Sequence, residues 1–284
     1  MREAPAAGLS TSGRPLAVAM VLAGAASAQV GAAFAVTLFD DLGPAGAAFL
    51  RLAFAALVLC AIWRPRLAGD LRIPATFGVA LGLMNLCIYE AMDRIPLGIA
   101  VTIEFAGPLL VAVLGSRRPL DGVWIALAAA GILLLAGPGG GGAVDPVGVG
   151  FALAAGGFWM AYIHLSQRTG AAFPGGSGLA LAMVVGALVV LPAGVVGSGG
   201  SFAEPELLGA ALVVALASSV LPYSLELEAL RRVPRRAFGI LMSMEPAVAA
   251  LAGFVVLGQD LAVRDWIAIA CVVVASAGAS TLVE

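Results

Sequence analysis

Two carboxyl side chains lie near the centres of long apolar stretches of the chain, where a charge is costly. They are Glu104 and Glu245, and each is close to a proline, Pro108 and Pro246 respectively. A carboxylate in the middle of a bilayer costs roughly 2.5 to 3.5 kcal/mol on insertion scales, so intramembrane acids usually face a polar cavity. Carboxyl groups in such a cavity can bind a cation or carry a proton.

The composition shows why these stretches should be membrane spans. Hydrophobic residues make up 61% of the chain, charged residues only 11%, and the mean hydropathy is +1.05. A hydrocarbon core about 30 Å thick needs about 20 helical residues per crossing. Apolar residues run all round each stretch instead of alternating with period two, which favours helices over strands. We therefore predict an all-α polytopic membrane protein with ten transmembrane helices, at 16–38, 44–63, 73–92, 96–115, 120–137, 147–166, 178–197, 207–230, 235–257 and 261–282.

The arginines orient these spans, because short cytoplasmic loops are enriched in basic residues. With the N-terminus inside, only Arg94 and Arg264 fall in outer loops, and Arg51 falls within a span. This predicts a membrane protein with both termini in the cytoplasm. The segment 16–28 also resembles a signal peptide with its cleavage site, but its removal would leave nine spans and break this alternation. The three cysteines all lie in predicted spans, which argues against a disulfide framework or a metal site.

A sequence repeat accounts for ten spans. Aligning Pro96 with Pro234, an offset of 138 residues, also superposes Pro108 on Pro246. The repeat predicts four parts: a cytoplasmic tail (1–15), a first five-helix repeat (16–137), a Gly-rich linker (138–146) and a second five-helix repeat (147–284). Five is an odd number, so the second repeat must be inverted in the membrane. Inverted repeats are common in secondary transporters, whose binding sites lie near the midplane between the repeats.

The prolines fall where such a site would need irregular backbone. Proline has no N–H, so Pro108 deprives the carbonyl of Glu104 of its helical partner, and Pro246 does the same to Met242. Prolines in membrane helices are also often satisfied by neighbouring helices, which is the alternative interpretation. Other polar residues at similar depth predict the rest of the cavity: Gln29, Arg51, Asn85, Tyr89, Trp159, Tyr162, Tyr223 and Ser243.

Arg51 stands out in this set because a guanidinium in the middle of a span must be paired. Glu104 and Glu245 are the expected partners. Arg51 could form a structural ion pair between spans or could bind the substrate, and the sequence leaves both interpretations open. Glu226 lies nearer the end of its span, where a long side chain reaches the interface and has no special role.

Some chemistries are excluded by what the sequence lacks. All fifteen basic residues are arginine, so no phosphate-binding loop ending in Lys-Ser or Lys-Thr is present. No stretch is long and polar enough for a soluble nucleotide-binding domain, and we expect no nucleotide, nucleic acid, metal or other cofactor. Transport would then be driven by a gradient or be facilitated.

Several motifs together resemble the threonine/homoserine exporter branch of the EamA-type drug/metabolite transporters. The resemblance covers nearly the whole chain and includes the segments 96–109, 116–121, 221–226 and 241–247. It implies a ten-helix inner-membrane exporter of small amino acids that exchanges its substrate against protons.

We therefore predict a proton-coupled exporter of a small neutral amino acid. Glu104 or Glu245 would face the ammonium group or the coupling proton, Arg51 the carboxylate, and the remaining polar residues the substrate side chain. The main alternative is an exporter of another metabolite or a drug. A passive channel is less favoured, as is a membrane enzyme, since neither a metal-spaced histidine and acid cluster nor a nucleophile with a base is evident. The expected partners are the small-molecule substrate, protons and the lipid bilayer.

Overall fold

The structure is a computed structural model that describes residues 13–114, 121–136, 144–198, 202, 204–230, 232 and 235–280. Within these residues the elements are helices, with no β-strand. The all-α prediction is therefore confirmed. The helices are α1 (Gly13–Val36), α2 (Phe39–Trp63), α3 (Arg72–Met92), α4 (Leu97–Glu104), α5 (Ala106–Leu114), α6 (Asp121–Ala136), α7 (Pro146–Ala172), α8 (Ser177–Gly197), α9 (Pro205–Ala215), α10 (Leu221–Leu230), α11 (Arg235–Met242), α12 (Glu245–Leu257) and α13 (Val263–Ser280).

Seven helical segments in the described residues are long and apolar enough to cross a membrane. They are Pro15–Val36, Phe39–Trp63, Arg72–Met92, Pro146–Ala172, Ser177–Gly197, Pro205–Glu226 and Phe238–Leu257. Two further apolar helices are shorter, Leu97–Val111 and Gly122–Leu135. The protein is thus a multi-pass membrane protein. That it crosses the bilayer ten times stays a prediction.

Two of the predicted spans are broken helices. α4 ends at Glu104 and α5 begins at Ala106, and likewise α11 ends at Met242 and α12 begins at Glu245. The breaks fall where Pro108 and Pro246 remove backbone donors. The same offset of 138 residues that aligns the prolines also maps α4 onto α11 at both ends.

A third interruption lies between α9 and α10, where residues Leu216–Val220 form one π-helical turn. Such turns are rare and often occur at functional sites, because they redirect backbone groups that a regular helix would bond internally. The turn carries two serines, Ser218 and Ser219, both buried.

Close contacts between small residues hold the helices together. α2 packs along α8, and α3 packs along both α7 and α8. A Cβ atom added at Gly82 of α3 would lie 2.9 Å from the Cα of Gly186 in α8, so these two backbones touch. Gly82 belongs to a GxxxG pattern with Gly78, and such patterns favour close helix packing in membranes.

The packing partners form matching pairs along the chain. The contact of α3 with α7 matches that of α10 with α1, and the contact of α5 with α7 matches that of α12 with α1. The contact of α3 with α8 matches that of α9 with α2. α2 with α8 and α6 with α13 each pair once. The predicted linker lies mostly in residues 137–143 and the predicted tail mostly in residues 1–12, both outside the described residues.

Candidate functional site

A cavity of about 570 Å³ lies at the centre of the bundle, between the two broken helices. Its walls come from α1, α2, α3, α7, α10 and α13 as well as from the breaks themselves. Nine of the predicted residues line it: Gln29, Arg51, Asn85, Glu104, Pro108, Trp159, Tyr162, Tyr223 and Glu245.

Arg51 is held by the π-helical turn and by one tyrosine. Its Nε donates to the Ser219 Oγ at 3.0 Å, and an Nη donates to the carbonyl of Ser218 at 2.9 Å. The other Nη donates to the Tyr89 hydroxyl at 3.3 Å, and the guanidinium carbon lies 5.5 Å from the centre of the Tyr89 ring. A guanidinium has five N–H groups, so N–H donors remain for a molecule in the cavity.

The expected ion pair with a glutamate is not formed in this conformation. Within the described residues, Arg51 has no carboxylate within 4.0 Å, and its hydrogen bonds go to neutral oxygens. The prediction that Glu104 or Glu245 pairs directly with Arg51 is therefore wrong for this state. The π-helical turn explains the difference, because it exposes a backbone carbonyl to the guanidinium that a regular helix would have used internally.

Glu104 and Glu245 are both deeply buried, with only 7% and 5% of their surfaces exposed. Glu104 is the last residue of α4, and Glu245 is the first residue of α12. The C-terminal end of a helix carries partial negative charge and the N-terminal end partial positive charge. Glu104 thus lies at a C-terminal helix end and Glu245 at an N-terminal helix end, although both residues lie at a break.

Three predicted residues lie behind the cavity wall. Tyr89 is fully buried, and it supports Arg51 while its own ring packs 5.6 Å from that of Phe39. Ser243 is also fully buried and donates to the carbonyl of Gly239 at 2.8 Å, with the Ser276 Oγ 3.0 Å away. Pro246 is buried in the first turn of α12. None of the three is among the described residues that line the cavity.

Polar contacts join neighbouring segments near the start of α4. The Gln259 Oε1 accepts a hydrogen bond of 3.0 Å from the backbone N–H of Leu97, the first residue of α4. Arg94 pairs with Glu90 at 2.7 Å and lies over the ring of Phe151 at 5.1 Å. Among the described residues, no cluster of three or more histidine, cysteine or acidic side chains could hold a metal ion.

Comparison with known proteins agrees with this arrangement. The chain is 42% identical to the threonine/homoserine exporter RhtA of Escherichia coli K12 over 274 residues, which cover 95% of this chain and 92% of the exporter. It is 41% identical over the same length to the RhtA of Salmonella typhimurium LT2. The model of the EamA-like transporter family matches residues 146–281. The chain belongs to the EamA-like transporter family, in the branch of the RhtA proteins.

Two more distant likenesses concern the family and the fold. The uncharacterized transporter YwfM of Bacillus subtilis is 31% identical over 167 residues, 58% of this chain and 56% of that protein. A crystal structure of another protein, 19% identical, superposes with a TM-score of 0.64 over 93% of this chain and 96% of its own. This structural likeness supports only the fold of this EamA-like transporter, and not its function.

The cavity of this EamA-like transporter contains residues that the sequence analysis left out of the site. Glu226 lines the cavity, so the expectation of an ordinary residue near the end of its span is wrong. The signal was its position three residues after Tyr223, which places both on one helix face. The place of Ser218 in the cavity wall could not be predicted, because no signal in the sequence indicates a π-helical turn.

Proposed function

We propose that this protein is a secondary active exporter of small neutral amino acids of the threonine/homoserine type, driven by proton antiport. The proposed architecture is ten transmembrane helices, arranged as two inverted five-helix repeats in the bacterial inner membrane with both termini in the cytoplasm. Its substrate would bind in the central cavity between the two broken helices.

One observation carries this proposal, namely that acidic and basic side chains line the same cavity. Among the described lining residues, Arg51 is the one basic side chain, and Glu104, Glu226 and Glu245 are acidic. An amino acid zwitterion needs a partner for its carboxylate and one for its ammonium group. Arg51 offers N–H donors to the first, and the carboxyl groups offer acceptors to the second. The volume of about 570 Å³ is within the range of small-molecule sites.

The matching pairs of helix contacts support the inverted repeat. If α1 corresponds to α7, α2 to α8, α3 to the α9 and α10 pair, α4 to α11 and α5 to α12, then several of the pairings between the halves have a counterpart. α3 with α7 becomes α10 with α1, and α5 with α7 becomes α12 with α1. Such a two-fold relation lets one closed end and one open end exchange places, which is how inverted repeats give alternating access.

The opposite helix-end environments of Glu104 and Glu245 support different roles for the two carboxyl groups. We assign the coupling proton to Glu104 and the ammonium group to Glu245. Alternating access requires each carboxyl group to be accessible in at least one of the two states.

The closest competing function is export of another small metabolite or a drug, which the same fold could support. The names of the RhtA relatives favour amino acids. A passive channel and a membrane enzyme are less favoured, because inverted repeats are typical of secondary transporters and the described lining of the cavity has no evident nucleophile with its base.

Counterflow in proteoliposomes tests the proposal. Vesicles that hold purified protein and unlabelled threonine or homoserine should accumulate the labelled amino acid from outside, which only a carrier can do. Labelled leucine and a cationic drug serve as comparison substrates. Accumulation of the drug without accumulation of either amino acid would contradict the proposed substrate class.

A further inference from the structure

Acidic side chains outnumber basic ones in the described lining of the cavity. Three carboxyl groups accompany one guanidinium, and that guanidinium already donates to Tyr89, Ser218 and Ser219. Within the described residues, none of the three carboxyl groups forms an ion pair. A molecule with a positively charged group would complement this lining.

A second observation points the same way and does not involve a carboxyl group. Gln29 lines the cavity, is only 8% exposed, and its Oε1 is buried with no hydrogen-bond partner in the described structure. A buried carbonyl-type oxygen without a donor is costly, and such groups are usually satisfied by something that binds there. Gln29 is thus one more acceptor in the same cavity that lacks a donor.

Glu226 is the acid that the proposed mechanism does not yet use. It lies on α10, one turn after Tyr223, and both side chains line the cavity. Arg51, Glu104 and Glu245 line the same cavity, so one small molecule there can contact several of these groups.

The same helix carries a second glutamate in a different setting. Glu228 is two residues further along α10, is not among the described lining residues, and forms an ion pair of 2.6 Å with Arg232. Its carboxylate is satisfied by a side chain one helical turn away. Glu226 makes no such pair with the described residues, although it is more enclosed.

We propose that Glu226 is a specificity-determining residue of the export site, where it binds the ammonium group of the substrate together with Glu245. The three N–H donors of an ammonium group point in different directions, so a single carboxyl group cannot accept all of them. Arg51, which lines the same cavity, then holds the substrate carboxylate. This inference rests on the proposed function and deepens it: the site selects solutes that carry a primary ammonium group.

Competition by substrate analogues tests this role. Purified protein in proteoliposomes is assayed for binding of labelled threonine, with two competitors of similar shape. One is the corresponding 2-hydroxy acid, which lacks the ammonium group, and the other is the corresponding amine, which lacks the carboxylate. The wild-type protein should prefer threonine to the hydroxy acid by at least about tenfold, because a site built to bind a donor rejects an analogue without it.

The variants Glu226→Gln and Glu228→Gln form a matched pair on one helix. Glu226→Gln should weaken threonine binding about tenfold, the effect of losing one charge-assisted hydrogen bond. Binding of the hydroxy acid should stay within twofold of wild type, about the scatter of such assays. The preference for threonine should then fall by the same factor of about ten. Glu228→Gln should leave both affinities unchanged, and Glu226→Asp should recover part of the loss.

The outcomes separate this inference from the proposed function. If wild-type protein binds threonine but binds the hydroxy acid equally well, the ammonium site is refuted, whatever the variants do. An unchanged preference in a folded Glu226→Gln variant refutes it too, as does an equal loss in Glu228→Gln. If wild-type protein binds and carries neither threonine nor homoserine, the proposed function itself has failed.

Discussion

Gly156 of α7 lies against the backbone carbonyl of Glu104, the residue at which α4 ends. A Cβ atom added to Gly156 would lie 2.7 Å from that carbonyl oxygen, a distance that real Cβ atoms essentially never show. Gly107, on the other side of the break, lies against the backbone of Gly156 in turn. α7 therefore packs directly on the break that the sequence analysis attributed to Pro108.

This contact predicts different effects for two neighbouring glycines. Gly156→Ala should lower the stability of the protein by about 1 to 3 kcal/mol, because the added methyl group overpacks the contact. A Cβ atom at Gly157 would meet nothing within 4 Å, so Gly157→Ala serves as the control. Thermal unfolding in detergent measures both. Equal unfolding temperatures for the two variants would show that the contact is not tight.

The break itself should matter for transport. Pro108→Ala restores an N–H that can donate to the carbonyl of Glu104 and so favours a continuous helix from α4 into α5. We expect transport to fall roughly tenfold or more in folded protein, since a small displacement of a binding group has effects of that size. Pro192 lies exposed inside α8, so Pro192→Ala is the matched control. Full transport by Pro108→Ala would mean that the break is dispensable.

The hydrogen bonds of Arg51 make a third prediction. Ser219→Ala removes the oxygen that accepts from the Arg51 Nε at 3.0 Å and should weaken substrate binding about tenfold. Ser224 is exposed, and its hydroxyl donates to the carbonyl of Val220, so Ser224→Ala should bind as wild type does. Binding assays with labelled threonine measure both. The clamp proposed for Arg51 is refuted if Ser219→Ala binds substrate normally.

Glu104 and Glu245 should fail in different ways when neutralised. Glu104→Gln cannot give up a proton, so export driven by a pH gradient should disappear while exchange of substrate across the membrane partly survives. Glu245→Gln should weaken substrate binding about tenfold, because it removes a charged acceptor. Vesicles with an imposed pH gradient measure export and exchange together. Glu206 is exposed in the first turn of α9, and Glu206→Gln is the control. Wild-type export that ignores the gradient would rule out proton antiport.

The orientation of the chain can be tested by cysteine labelling. Cys60, Cys87 and Cys271 are first replaced, since they are the native thiols. Single cysteines at the exposed positions Asp41 and Glu204 should then react with an impermeant reagent added outside cells, and a cysteine at the exposed position Arg66 should not. The arginine excess on the predicted cytoplasmic side is the physical reason. Labelling at Arg66 alone would reverse the topology.

Much of the fold was predictable because a bilayer imposes strong local rules. Each backbone polar group must be satisfied within its own segment, so long apolar stretches form helices whatever their neighbours are. The breaks near Glu104 and Glu245 were predictable for a similar reason, since the loss of a donor at Pro108 and Pro246 depends on the chain alone.

The composition of the site was partly predictable from the same depth argument. Nine predicted residues line the cavity, because polar groups in the middle of a span are costly unless they face an internal cavity. Depth does not specify which way a side chain points around its helix, however. Tyr89 and Ser243 have the predicted depth but lie behind the wall, and Glu226 was set aside although it lines the cavity.

The partner of Arg51 was decided only by the tertiary structure. The sequence alone established that a guanidinium in mid-span needs acceptors, and a glutamate was the obvious choice. The acceptors are instead the Ser219 hydroxyl, the Ser218 carbonyl and the Tyr89 hydroxyl, which come from two other helices. The Ser218 carbonyl is available because Leu216–Val220 form a π-helical turn, and that turn is stabilised by packing against α1 and α2, which no local sequence signal encodes.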